Sequence, residues 1–198
     1  MSEAARTNPS TRAGGRNALI VVDMLNRYEH EDGERLLESV RGVVPVLAGL
    51  IENARENGIM TVYVNDNHGD WTAGRSRLSR WAMEGVDRSV IEPILPPDDV
   101  PFLVKARHSV FYETQLDYLL RHAGVDRVVL AGQVTEQCIL YSALDAYVRH
   151  YGVVIVCDAI AHIHEDLAEA ALRMMSLNMR ARIASSGDPA VWTTPPRT

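Results

Sequence analysis

The chain has 198 residues, 46% of them hydrophobic, with a formal net charge of −6 and an isoelectric point near 5.6. A chain of this size folds as one domain by default and buries roughly 70% of its extended surface. Its acidic balance excludes a dedicated nucleic-acid or anionic-membrane surface, which needs clustered Lys and Arg.

Residues 1–16 are rich in Ser, Thr, Ala, Gly and Arg, lack the apolar core of a signal peptide, and read as a disordered lead-in. Residues 18–22 (Ala-Leu-Ile-Val-Val) form a first buried strand ending at Asp23, and residues 34–57 carry apolar side chains at helical spacing until Gly58 stops them. Residues 59–64 give a second strand. The segment 65–101, with Asn65, Asp66, Asn67, Gly69, Gly74, Pro96 and Pro97, reads as a long irregular region, and loops of that length inside a domain are usually functional. Its Arg75, Arg77 and Arg80 read as a solvated face rather than an anion site.

A third strand follows at residues 102–105, then a helix at 114–122 capped by Thr114 and stopped by Gly124, and a fourth strand at 128–131. Residues 136–151 read as a helix, 153–157 as a fifth strand, 165–178 as a helix and 181–184 as a sixth strand. Such repeated strand–helix units specify an α/β fold: three αβα layers around a mainly parallel six-stranded, Rossmann-like sheet. A single domain is expected over residues 17–187, with a tail over 188–198 docked by Trp192. No apolar run approaches the roughly 20 residues of a membrane helix, so neither a membrane nor a nucleic-acid partner is expected. Cys138 and Cys157 cannot build a disulfide framework and match no zinc spacing, which places the chain in a reducing, cytoplasmic compartment.

Ligands of open parallel sheets bind at the carboxyl ends of the strands. Asp23, Lys105 and Cys138 all fall there. With Thr135 as N-cap, Cys138 occupies the third helical position, where unpaired N–H groups and the helix dipole favour the thiolate. The alternative at this point is a small buried hydrophobe. The first strand-to-helix turn, Asp23-Met24-Leu25-Asn26-Arg27-Tyr28-Glu29, has no glycine and disfavours a nucleotide.

Asp23, the segment Lys105-Ala106-Arg107-His108-Ser109-Val110-Phe111 and the segment Gly132-Gln133-Val134-Thr135-Glu136-Gln137-Cys138 together resemble the isochorismatase-like cysteine hydrolases, over residues 17–187. That superfamily includes nicotinamidases, N-carbamoylsarcosine amidases, ureidoacrylate and biuret hydrolases, and isochorismatases. The resemblance implies a Cys138 nucleophile, Asp23 as proton acceptor, Lys105 as the cation between them, and an oxyanion hole from the Val134 and Cys138 N–H groups beside a cis peptide joining Gln133 to Val134. It further implies a small-molecule substrate, no cofactor, and a homo-oligomer, dimer or tetramer. Strand three usually lies two positions from strand one in this family, so Lys105 must reach across or its loop must curl inward. The complete triad favours hydrolysis of a small amide or ureide through a thioester. Vinyl ether hydrolysis of the isochorismatase type is the alternative, as is a non-catalytic binding protein, or a redox sensor in which Cys138 forms a sulfenic acid or pairs with Cys157.

Around the triad, Asn26, Tyr28, Asn67, Trp71, His108, Phe111 and Tyr112 are pocket candidates, and Trp71 and Trp81 either line the wall or anchor the loop. Asp66-Asn67-His68 resembles two metal ligands of the nicotinamidases, but Gly74 and Arg88 stand near where further histidines would fall. No metal is expected; hydrogen bonding that shapes the loop is. Cys157 reads as core, His162 and His164 as a surface loop, and Asp158 as an organiser of nearby backbone.

Overall fold

The computed structural model describes residues 16–193; the lead-in and the end of the tail lie outside the described residues. Six strands form one parallel sheet: β1 (Arg16–Val22), β2 (Met60–Asp66), β3 (Phe102–Lys105), β4 (Val125–Gln133), β5 (Gly152–Ala161) and β6 (Arg182–Ala184), in the order β3-β2-β1-β4-β5-β6. Helices α1 (Gly33–Glu56), α2 (Arg75–Met83), α3 (Leu116–His122), α4 (Leu140–Val148) and α5 (Glu165–Met179) cover it.

Side chains alternate across a strand, so each apolar run feeds two cores. Leu19 and Val21 of β1 join Val129, Ala131, Val154 and Val156 beneath α1. Ala18, Ile20 and Val22 join Val128, Leu130 and Ile155 against α3, α4 and α5. This two-sided burial is why the strands read as continuous β-branched runs. The strand order reverses between β1 and its neighbours β2 and β4, so a crevice opens where β1 and β4 end.

Several expected elements differ. The segment 65–101 holds α2 and two short turns of 3-10 helix, Arg88–Val90 and Glu92–Ile94. Only Leu78 and Ala82 of α2 are buried, a pattern too sparse to read through its arginines. The helix expected from residue 136 begins instead as a wide turn over Thr135–Ile139, in which Ile139 N donates to Val134 O at 3.0 Å, and α4 follows it. Thr135 is no N-cap; its hydroxyl donates to Ala161 O at 2.9 Å. Thr114 lies ahead of α3, its Oγ1 accepting from Leu116 N at 3.3 Å.

Cys157 is exposed rather than core. Between Leu130↔Ile155 and Gly132↔Ile160 the β4–β5 register shifts, and the resulting bulge lifts Cys157 and Asp158 out of the ladder. Asp158 then accepts from Ser186 N and Oγ, both at 2.8 Å, organising backbone as its position suggested. Arg127 donates to Val191 O and Thr193 O and to Asn17 Oδ1, while Asn17 donates to Trp192 O, fastening the start of the tail beneath the sheet.

Candidate active site

Asp23 follows β1 in a left-handed conformation (φ 56°), and its N–H donates to Val64 O at 2.9 Å. One carboxylate oxygen accepts from Asp66 N at 2.7 Å; the other lies 2.7 Å from Lys105 Nζ. Lys105 pairs with Asp66 in the β2–β3 ladder, so its side chain, not its backbone, crosses the end of β2. Its ammonium is enclosed, 3.6 Å from Cys138 Sγ and 3.7 Å from Asp66 Oδ2.

β4 delivers the third group. Gly132 has φ 118° and packs so closely on β1 that a Cβ there would lie 2.2 Å from Val22 O. Only glycine permits that approach. The next side chain, Gln133, donates to Asp23 O at 2.6 Å and accepts from Tyr28 OH at 3.3 Å, and the Gln133–Val134 peptide is cis. The wide turn then carries Cys138, buried, with Sγ 3.6 Å from Lys105 Nζ and 3.8 Å from His108 Nδ1. Glu136 holds the turn from outside, Oε1 accepting from Ile163 N at 3.0 Å and His164 N at 2.8 Å.

Charges in this enclosure are strongly shifted. Burial pushes the Cys138 thiol well above its ordinary value, the Asp23 carboxylate adds to that, and Lys105 opposes it. Burial also raises Asp23, against the pull of Lys105 and of the thiol hydrogen bond from Cys138. For Lys105, burial works against the charge, but Asp23, then Cys138 and Asp66, outweigh it and hold the ammonium above its ordinary value. Burial and the Asp23 carboxylate therefore favour the thiol form of Cys138, against the thiolate that a helix N-terminus alone would favour.

His108 stacks on Tyr141 (centroids 5.4 Å apart), and with Arg107, Ser109, Tyr112, Leu144 and Asp145 the two line an open cavity of about 400 Å³. Asn67 lines a second hollow of about 270 Å³ with His68, Arg77 and Trp81, and Asn26 lies on the rim of a third. Three pocket candidates do not belong there. Phe111 is core, stacked on Tyr151; Tyr28 is buried behind Gln133; Trp71 is 83% exposed, thrown outward by the Asp70 turn, where Thr72 N donates to Asp70 Oδ1. Trp81 packs on the core and stacks on His68. His162 sits at the edge, its N–H donating to Ser39 Oγ at 3.1 Å. Residue-by-residue reading missed Tyr141 and the Gln133 side chain; the one available signal was that Tyr141 lies three residues, nearly one helical turn, beyond Cys138.

The isochorismatase domain model matches residues 17–188. The chain belongs to the isochorismatase family. Its sequence is 36% identical over 168 residues to the isochorismatase family protein YaaI of Bacillus subtilis, covering 85% of this chain and 93% of that protein. It is 30% identical to the maleamate amidohydrolase of Pseudomonas putida, covering 80% and 78%. The crystal structure of the nicotinamidase PncA from Bacillus subtilis superposes with a TM-score of 0.70 at 28% identity, covering 86% of this chain and 99% of that one.

In this isochorismatase-family chain the Asp66–His68 element is engaged in hydrogen bonds of its own loop. Asp66 Oδ1 accepts from His68 N at 2.7 Å while Oδ2 faces Lys105, and His68 Nε2 is spent on Leu25 O at 2.9 Å. Among the described residues, no three His, Cys, Asp or Glu side chains gather as ligands.

Proposed function

We propose that this isochorismatase-family chain hydrolyses a C–N bond of a small amide or ureide through a thioester on Cys138. The observation that carries the reading is the convergence of a carboxylate, an ammonium and a thiol from three strand ends, with Lys105 Nζ 2.7 Å from Asp23 and 3.6 Å from Cys138 Sγ. The names of two relatives, a maleamate amidohydrolase and a nicotinamidase, point to the same bond class.

Each group has a task. Cys138 starts as a thiol; Asp23 takes its proton as sulfur attacks the carbonyl carbon, and Lys105 balances the negative charge. The Val134 and Cys138 N–H groups receive the oxyanion. When the C–N bond breaks, Asp23 returns the proton to the leaving nitrogen and the amine departs. Water then adds to the thioester while Asp23 takes its proton; collapse expels the sulfur, which is reprotonated, and frees the acid. Arg107, His108 and Tyr141 form the wall against which the rest of the substrate packs.

A raised carboxyl also suits protonation of a vinyl ether, so isochorismatase-type cleavage is the second reading. A screen of small amides and ureides for ammonia release, with Cys138→Ala as control, tests the proposal. Ammonia that disappears with Cys138→Ala supports it; pyruvate release from isochorismate with no amide turned over would replace it.

A further inference from the structure

The polar side chains at these strand ends are engaged with one another, with one exception on the open side of the sulfur. Asp23 accepts from Asp66 N through one oxygen and meets Lys105 Nζ through the other, and both side chains are enclosed. Gln133 is tied at both ends of its amide, to Asp23 O and to Tyr28 OH. Ser109 Oγ accepts from Phe111 N at 3.2 Å, and Asn67 Oδ1 accepts from Gly69 N at 3.0 Å. His108 is different. Its Nδ1 lies 3.8 Å from Cys138 Sγ, and among the described residues neither ring nitrogen has another hydrogen-bond partner.

The ring is nonetheless held in place. His108 stacks on Tyr141 of α4, with centroids 5.4 Å apart and planes 28° apart, and Val110 N fastens the same loop to α4 by donating to Ser142 Oγ at 3.0 Å. With one face on Tyr141, the Nδ1 edge is left toward the sulfur. Tyr141 follows Cys138 by three residues, so one stretch of chain places both the nucleophile and the imidazole beside it.

Hydrolysis of a thioester makes a demand that the triad alone does not meet. An attacking water must direct a lone pair at the carbonyl carbon, so both its hydrogens must point elsewhere, each toward an acceptor. Asp23 takes one. The other needs an acceptor on the side from which water enters, and with Asp23 and Lys105 enclosed that side is the open cavity of about 400 Å³ whose wall includes His108.

We propose that His108 is a catalytic residue of the second half-reaction: with its own hydrogen on Nε2, its Nδ1 accepts one hydrogen of the attacking water while Asp23 removes the other. The inference rests on the thioester reading above. The C–O bond forms as the water O–H bond breaks toward Asp23; the C–S bond then breaks with its electron pair left on sulfur, and Asp23 passes its proton to that sulfur. The hydrogen held by His108 leaves with the acid product. His108 thus gains and loses only a hydrogen bond. During acylation the substrate's own nitrogen occupies the place of the water, so that step depends on His108 less.

Single-turnover mass spectrometry of the full chain tests this without a natural substrate. Excess para-nitrophenyl acetate places an acetyl group on Cys138, with Cys138→Ala marking acetylation elsewhere; after desalting, loss of the acetyl mass from the Cys138 peptide is followed in time. His108→Phe keeps the stack on Tyr141 but offers no acceptor, and should retain the acetyl group about tenfold longer or more than the unaltered chain. His108→Asn loses the ring but sets an amide oxygen where Nδ1 stood, and should recover most of the rate. Circular dichroism confirms that each variant is folded. Equal rates for His108→Phe and the unaltered chain, or His108→Asn no faster than His108→Phe, would overturn the inference and leave the thioester reading intact. An acetyl group that Cys138 never takes, or that the unaltered chain never releases, would overturn both.

Discussion

Lys105 Nζ lies 2.7 Å from the Asp23 carboxylate although β3 and β1 are not neighbours in the sheet. Both side chains are enclosed, so neither charge has water to fall back on. Lys105→Met strands a buried carboxylate and is expected to cost about 3–5 kcal/mol of stability. Asp23→Asn combined with Lys105→Met leaves no orphan charge and should cost less than the sum of the single changes. Urea unfolding of the four proteins closes this cycle; additive losses would show that the pair is not coupled.

The same pair sets a pH dependence. Burial raises the Asp23 carboxyl above its ordinary value of 3.8, Lys105 restraining the shift. The proposed reaction needs the carboxylate as proton acceptor, so the acid limb of kcat/KM should lie above the ordinary carboxylate range. For stability the sign is opposite to that of most carboxylates. The folded chain holds this proton more tightly than the unfolded chain, so the Asp23 contribution favours the fold in acid and is lost as pH rises from 3.8 through the raised value. Asp23→Asn should flatten that slope in unfolding experiments run from pH 4 upward.

Thiol reactivity gives a third expectation. Burial and Asp23 push the Cys138 thiol up, and its sulfur is enclosed, whereas Cys157 is exposed on the β5 bulge. Iodoacetamide at neutral pH should label Cys157 first and Cys138 slowly, as peptide mass spectrometry would resolve. Rapid, selective labelling of Cys138 would mean a resting thiolate and a different proton inventory.

Much of this was legible in the sequence because a parallel sheet buried on both faces forces continuous β-branched runs, as at Ala18–Val22, and because chemistry in such a sheet gathers where strands end. What stayed hidden depends on partners distant in the chain. Nothing near Cys157 announces a bulge, since the register shift arises in its pairing with β4. Thr135 has the right residue type for a cap, but Ala161 O offered its hydroxyl a better partner. Phe111 and Trp71 are both aromatic and both near strand ends; which one is packed and which is thrown into solvent was decided by Tyr151 and by the Asp70 turn.

The loop element that resembles a nicotinamidase metal site gives a further test. Asp66 Oδ1 accepts from His68 N, Asp66 Oδ2 faces Lys105 and His68 Nε2 lies on Leu25 O, and Asp66 at the β2 end supplies a hydrogen bond to Asp23. Chelator treatment should therefore leave turnover unchanged. His68→Ala should instead loosen the loop, losing the bond to Leu25 O and the stack on Trp81, at about 1–2 kcal/mol of stability. Loss of activity on chelation, restored by a divalent cation, would contradict this.

Gly132 offers the sharpest link between backbone and site. With φ at 118°, any side chain is strained, and a methyl group would sit 2.2 Å from Val22 O and 2.8 Å from Val22 N, backbone atoms of the central strand that cannot rotate away. Gly132→Ala must therefore part β4 from β1 at the point where Gln133 reaches Asp23 at 2.6 Å and the turn to Cys138 begins. A destabilisation of about 3 kcal/mol or more is expected. Because the displacement is centred on the strand ends that bring Cys138 to Asp23, kcat/KM should fall further than loss of folded protein accounts for. Measuring both on the same sample separates the effects: activity that only tracks the folded fraction would mean the site tolerates the shift, and Gly132 would then matter to the sheet alone.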